Sequence, residues 1–227
     1  MFYFKGSSSI SKGLIVTNEI KIGKARKRID RIEIDGRNGY LTIDKGTYDP
    51  ILVSVKCHLK TTNMSDIYSW LDGYGKFSLD NQIEYDAIVS NQISLEKITN
   101  HFDNILIQFE LQPISKSKNF IEVEIEETPQ IISISEATAI IEPIIELDMT
   151  GDISITFGSK TFTLTDLDGE TILNSELKTI NDSSGNISNK MLGDFPTLTT
   201  GSNSVSYILG DGSTITSFII KYKKAFI

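Results

Sequence analysis

The chain has 227 residues, 39% of them hydrophobic and 23% charged, a composition that excludes a disordered polymer and supplies apolar mass for two cores. Its net charge is −8, with 16 basic and 18 acidic side chains in residues 1–127 against 6 and 12 in residues 128–227. A protein that grips phosphate backbones presents a net basic face, so this balance argues against tight nucleic-acid binding.

The lone Cys57 rules out an intrachain disulfide and suits a reducing cytoplasm. No basic-then-apolar leader opens the chain, and no stretch approaches the roughly 20 apolar residues that span a bilayer, so neither export nor a membrane is expected.

In chain order, Ile32-Glu33-Ile34-Asp35 alternates apolar and charged residues ahead of Gly36-Arg37-Asn38-Gly39, which predicts a strand entering a hairpin. Ile51, Val53, Val55, Cys57 and Leu59 are apolar at every second position, with Ser54, Lys56 and His58 between them: one face packs and the other is wet. Ile67, Trp70 and Leu71 share one face of a short helix, with Ser65 as its expected N-cap and Gly73 at its C-terminal stop. Leu95, Ile98 and Phe102 repeat the helical spacing after Ser94, and Ile105, Ile107, Phe109 and Leu111 return to period two up to Pro113. A strand over residues 121–125 places Glu122, Glu124 and Glu126 together.

Helical signals stop near Glu127-Thr128-Pro129-Gln130, which predicts a boundary between a domain of residues 1–128 and one of residues 129–227. The second reads as purely β, with runs at 144–149, 153–157, 162–164, 205–209 and 218–222 and turns at Gly151-Asp152, Asp168-Gly169 and Gly210-Asp211-Gly212. Short strands at this frequency predict a sandwich or jelly roll, so the fold class is mainly β throughout.

Catalytic chemistry has little to stand on. His58 and His101 belong to no metal-binding spacing, and Cys57 cannot easily exchange a proton with His58 because strand neighbours point to opposite faces. Asp166-Leu167-Asp168-Gly169-Glu170 lacks the spaced ligands of a calcium loop and reads as a solvated turn. Gly73-Tyr74-Gly75-Lys76 lacks the spacing of a phosphate cradle. Among 30 carboxylates no pair stands out as an acid and base. Asn181-Asp182-Ser183 and Asn186-Ile187-Ser188 match a glycosylation pattern by chance in a chain with no expected export. No cofactor, metal or catalytic residue is assigned, and the chain is not expected to be an enzyme. The sharpest local feature is Lys21, Lys24, Arg26, Lys27, Arg28 and Arg31 within eleven residues, which fits a polyanion site, a contact with acidic groups of a neighbouring subunit, or a solvated edge strand.

The order of these elements resembles the distal tail proteins of siphophages and related prophage tails, over both domains. Phe2-Tyr3-Phe4-Lys5-Gly6, Ser9, Gly13-Leu14-Ile15-Val16, the basic segment from Lys21 and Asp35-Gly36-Arg37-Asn38-Gly39 are similar to that family's opening, with Asp35 and Asn38 in place of its common proline and aspartate. Ile67-Tyr68-Ser69-Trp70-Leu71 looks like its short helix, and Leu173-Asn174-Ser175-Glu176 like its Ile-Asp-Ser element. Gly193-Asp194-Phe195-Pro196-Thr197-Leu198 followed by Gly201-Ser202-Asn203 is the most specific match. The resemblance implies a homohexameric ring at the virion tail tip, made in the host cytoplasm, that links the tail tube protein to a tail lysin, fibre or receptor-binding protein. It implies an N-terminal β-sandwich-like ring domain with short helices, an outward C-terminal galectin-like or carbohydrate-module-like sandwich, and a channel through which DNA only passes. Within that ring, Lys24, Arg26, Lys27, Arg28 and Arg31 are expected to meet Glu122, Glu124 and Glu126 of the adjacent subunit. The alternative is a carbohydrate-binding accessory module, against which the second domain offers no tryptophan and only Tyr207 and Tyr222 as tyrosines.

Overall fold

The computed structural model describes residues 1–60, 64–97 and 103–227. It is mainly β, 59% strand and 5% helix, with curled, sandwich-like sheets. Two compact units form, Met1–Lys116 with Ile227 and Ser117–Phe226. The division falls before the expected 128/129 boundary for a local reason: Ile121–Glu124 pairs antiparallel with Thr214–Tyr222, so its backbone hydrogen bonds commit it to the second unit.

In the first unit, period two builds the core. Val53, Val55, Cys57 and Leu59 of the strand Ile51–Leu59 are buried, while Leu52, Ser54 and Lys56 are exposed. The strand Asp103–Ser117 lies beside it in the register Phe109↔Val53, Ile107↔Val55 and Ile105↔Cys57, which stacks buried side chains on one face. It continues past Pro113 instead of stopping there, because Pro113 lies beyond Leu111, the last residue paired with Ile51–Leu59, and no donor is demanded of it on that side.

The helix Met64–Leu71 buries Ile67, Trp70 and Leu71, and Gly73 at φ +72° ends it. Ser65 is the second helical residue, so its expected capping position is not realised. The chain's first aromatics close over this helix: Tyr3–Phe4 pairs with Tyr74–Ser78, and Phe2, Phe4, Trp70, Phe77 and Phe109 form one cluster with ring centroids 4.8 to 5.9 Å apart. Leu95–Lys97, expected to begin a helix, is a strand paired with residues 103–105. Residues 98–102, including His101, lie outside the described residues.

Lys27–Glu33 and Tyr40–Tyr48 form the predicted hairpin around Gly36 to Gly39, as a two-stranded sheet of its own. From Arg26 to Thr47 every residue except Ile29 is exposed.

The second unit is organised on two long strands, Ile144–Phe157 and Lys160–Asn174, paired along nearly their whole length. Thr214–Tyr222 adds to the first half of Ile144–Phe157 and Gly201–Leu209 to its second half, so one strand serves both parts of the curled sheet. Gly151-Asp152 and Asp168-Gly169 were expected to be turns, and both lie inside these strands. The first is a bulge where the register skips between Gly151 and Ile153, pinned by Asp152, whose N–H donates to Ser213 Oγ at 2.8 Å and whose Oδ1 accepts from the Asp166 N–H at 2.8 Å. Asp166 to Glu170 is therefore strand, not a solvated turn, whereas Gly210 to Gly212 does join two strands.

Gly151, at φ +98°, leaves no room for a side chain, since a Cβ there would stand 2.3 Å from Ser213 Oγ and 2.8 Å from Ser213 Cβ. Gly169, at φ +88°, has nothing within 4 Å. Gly151→Ala and Gly169→Ala both carry the strain of a positive φ, and Gly151→Ala is expected to lose about 1–3 kcal/mol more in urea unfolding because it also crowds Ser213. Equal losses would show that the close approach costs nothing.

Candidate subunit-contact surface

The six clustered cations lie on the hairpin and the segment that leads into it. Ile20 and Ile22 are partly buried against the first unit's core and Ala25 is buried, so the segment is rooted while Lys21, Lys24 and Arg26 stay in solvent. Cross-strand geometry then pairs several charges within the hairpin. Lys27 bonds to Asp44, Lys45 meets Asp30 at 2.7 Å and Arg28 Nε donates to Asp49 at 2.7 Å, while Lys21 reaches Glu19 at 3.2 Å. The hydrogen bond from Lys27 holds Asp44 below the usual carboxylate range, helped by the Gly46 N–H, and holds the Lys27 ammonium above its own. Lys24, Arg26 and Arg31 have no ion-pair partner among the described residues.

The acidic strand belongs to the second unit. Glu122 is paired with Lys221 at 3.3 Å, and Lys221 also meets Glu146 at 3.0 Å. Hydrogen bonds, first to Glu146 and then to Glu122, raise the Lys221 pKa against the opposing effect of desolvation. Glu124 and Glu126 are exposed and make no ion pair among the described residues, although Gln130 bridges their backbones, donating to the Glu124 carbonyl at 2.9 Å and accepting from the Glu126 N–H at 3.1 Å. Of the eight residues singled out for a subunit seam, Lys27, Arg28 and Glu122 are thus engaged within their own chain, and Lys24, Arg26, Arg31, Glu124 and Glu126 remain available.

Sequence reasoning about charge overlooked the apolar side of the same hairpin. The register pairs Ile32 with Leu41 and Asp30 with Ile43, which puts Ile32, Leu41 and Ile43 on one face beside Asp30, and the three aliphatic residues are 44%, 39% and 45% exposed. The alternation in residues 32–35 is the signal of this face, but alternation alone does not say what the face packs against.

The remaining features settle into structural roles. His58 Nδ1 lies 2.8 Å from Asn104 Oδ1 on the face opposite buried Cys57. Among the described residues no group of three His, Cys, Asp or Glu side chains is placed to hold a metal ion, and no helix is long and apolar enough to cross a membrane. Glu146, Asp148 and Glu170 line a shallow groove of about 310 Å³ on the second unit. Tyr222 is buried, and half-buried Tyr207 makes a T-shaped contact with Phe218 at 5.8 Å. In the Gly-Asp-Phe-Pro stretch, Leu198 is fully buried and bridges to Ile141. Asn203 closes the following loop, accepting from the Thr199 N–H at 2.9 Å and donating to the Thr199 carbonyl at 2.7 Å.

No family model matches the chain, and no curated protein sequence matches it. A solved structure does: the crystal structure of the Dit protein of phage SPP1, described as a paradigm of the hub adsorption apparatus in phages infecting Gram-positive hosts. It superposes with a TM-score of 0.79 over 100% of this chain and 98% of that one, at 11% sequence identity.

Burial pushes the Cys57 thiol up to about 12 from an ordinary value of 9.0. At pH 8 the folded protein is expected to leave an aromatic disulfide reagent unreacted and the urea-unfolded chain to release one equivalent. The raised pKa also fixes a sign: above about pH 9 unfolding releases a proton that the folded state retains, so this group's contribution to stability is present below pH 9 and lost as pH rises toward 12. Rapid reaction of the native thiol at pH 8 would contradict both statements.

Proposed function

We propose that this chain is a structural component of a phage tail tip, a hub that joins the tail tube to the adsorption proteins. The observation that carries the reading is the full-length likeness to the SPP1 Dit protein, which spans both compact units and leaves almost no part of either chain over. A shared fold alone does not fix a function. What adds weight is that the sequence motifs pointing to tail proteins fall in both units and that the clustered charge sits on an exposed hairpin, not in a cleft.

In this reading the first unit closes a homohexameric ring around a channel for DNA and the second projects outward, with the tube protein on one side of the ring and a lysin, fibre or receptor-binding protein on the other. The chain acts by placing surfaces, and no bond is made or broken. Light scattering on the assembled protein is expected to give about six times the 25.3 kDa chain mass, and negative-stain images to show a ring with a central hole. A particle that stays monomeric both alone and when mixed with the neighbouring tail proteins would end the hub reading.

The charge seam is part of the same proposal. Lys24, Arg26 and Arg31 of one subunit face Glu124 and Glu126 of the next, where exposed pairs contribute only about 0–1 kcal/mol each and set orientation more than affinity. Cations neutralised at a seam would also not hold DNA back in the channel. Reversing Arg26 and Arg31 to Glu is expected to impair assembly at low salt, and adding Glu124→Lys and Glu126→Lys to restore part of it. Full assembly of the single-sided reversal would remove the seam from the proposal.

A further inference from the structure

A strand at the edge of a sheet carries unpaired N–H and C=O groups, so folded proteins keep such edges short or charge them. Three edge strands of the second unit follow that rule: Ile121–Glu124 carries Glu122 and Glu124, and Gly185–Asn186 and Met191–Leu192 are two residues long. Gln130–Ile134 does not. It is five residues long, holds neither charge nor proline, and pairs among the described residues only with Gly201–Leu209.

Successive residues of a strand turn their backbone groups to opposite edges. On Gly201–Leu209 the Tyr207 N–H donates to Thr128 Oγ1 at 3.0 Å, while the Ser204 carbonyl accepts from the Gly158 N–H at 2.8 Å on the other side. Asn203 and Val205 therefore face Ile132 and Gln130, whose backbone groups are used in that ladder. The N–H and C=O groups of Ile131 and Ser133 point to the open side, where no hydrogen bond reaches them among the described residues. Ile132 and Ile134 are buried and fix the strand, whereas Ser133 is exposed and Ile131 is 64% exposed.

The surrounding charge says what this edge accepts. A hollow at its start is lined by Glu126, Glu127, Pro129, Gln130 and Ile131, and both carboxylates are exposed and make no ion pair among the described residues. Residues 119–159 contain no Lys or Arg, so the same segment of a second copy would bring only carboxylates to the contact. A strand that ends in a cation beside the hollow meets them with opposite charge.

We propose that Gln130–Ile134 is a docking edge for an extended segment of a different polypeptide: about five residues rich in β-branched side chains, with Lys or Arg at the end that reaches Glu127. The segment adds a strand to the second unit's sheet. Backbone bonds to Ile131 and Ser133 supply the affinity, and the Ile131 side chain and the carboxylates fix register and direction. The contact is independent of how copies of this chain assemble, and Glu127 takes no part in the charge seam.

The probe is a library of displayed peptides of about ten residues, selected on the full chain. Enriched peptides are expected to share alternating Val, Ile or Thr next to Lys or Arg, and to bind Ser133→Pro at least about tenfold more weakly, because that substitution deletes an N–H on the open side and none of the ladder to Gly201–Leu209. Glu127→Lys, at an exposed position, is expected to keep the fold and to abolish the preference for a basic end. Hydrogen exchange on the wild type covers the case in which Ser133→Pro does not fold: an enriched peptide is expected to protect the Ile131 and Ser133 amides. A selection that yields no such pattern, or peptides that leave those two amides unprotected, overturns the docking edge. Enrichment of the same basic peptides by Glu127→Lys overturns the role of the carboxylate. Self-association of the full chain that Ser133→Pro abolishes overturns the assignment of a different polypeptide and makes a second copy the occupant.

Discussion

The first unit depends on one junction, the contact between the chain's opening residues and its only described α-helix. Trp70 donates its indole N–H to the Phe4 carbonyl at 2.9 Å and stacks on Phe2 at 5.9 Å, while Phe2 meets both Phe77 and Phe109. A buried indole needs a hydrogen-bond partner, and here the partner is the backbone of a two-residue strand with little pairing of its own. Helix, opening strand and sheet are thereby held by one aromatic cluster. The root of the hairpin packs on the same core through Ile20 and Ile22, so the hairpin is anchored to an interaction far from it in sequence.

Much of this was legible in residue order because period two was undisturbed where one face is buried. Residues 51–59 and 105–111 declared their inward positions, and Ile67, Trp70 and Leu71 declared a helix face. The second unit's longest strands were not legible as such. A glycine at positive φ beside an aspartate is what a tight turn requires, and it is equally what a bulge or a sharp bend inside a strand requires. Only the neighbouring strand distinguishes the two, since it is Ser213 closing on Gly151 and Asp152 that keeps the ladder running. The domain boundary moved for a similar reason, because residues 121–124 take their partners from almost a hundred residues downstream. The charged cluster was plain in composition, but which of its members had partners depended on cross-strand register. The aliphatic face of the same hairpin was hidden because alternation tells which side is apolar and not whether anything covers it.

An identity of 11% is compatible with a common fold because the positions that specify it are many and individually permissive. Core sites accept different apolar residues of suitable volume, and strand pairing is carried by the backbone. Less permissive positions include glycines that leave no room for a side chain, as at Gly193, where a Cβ would stand 3.0 Å from the Phe162 backbone, and side chains such as Asn203 that replace missing backbone partners in a loop. These account for the motifs visible in the sequence, and they mark structure more than chemistry.

The exposed hairpin also bears on how the chain behaves at high concentration. Each copy presents a bare strand edge next to exposed aliphatic side chains, the combination from which fibrous aggregates grow. Lys24, Arg26 and Arg31, which make no ion pair among the described residues, leave positive charge beside that edge, so two hairpins that meet side by side repel each other. Exposed cations at such an edge act as gatekeepers of solubility, because a charge that must be desolvated discourages the stacking of one strand on another.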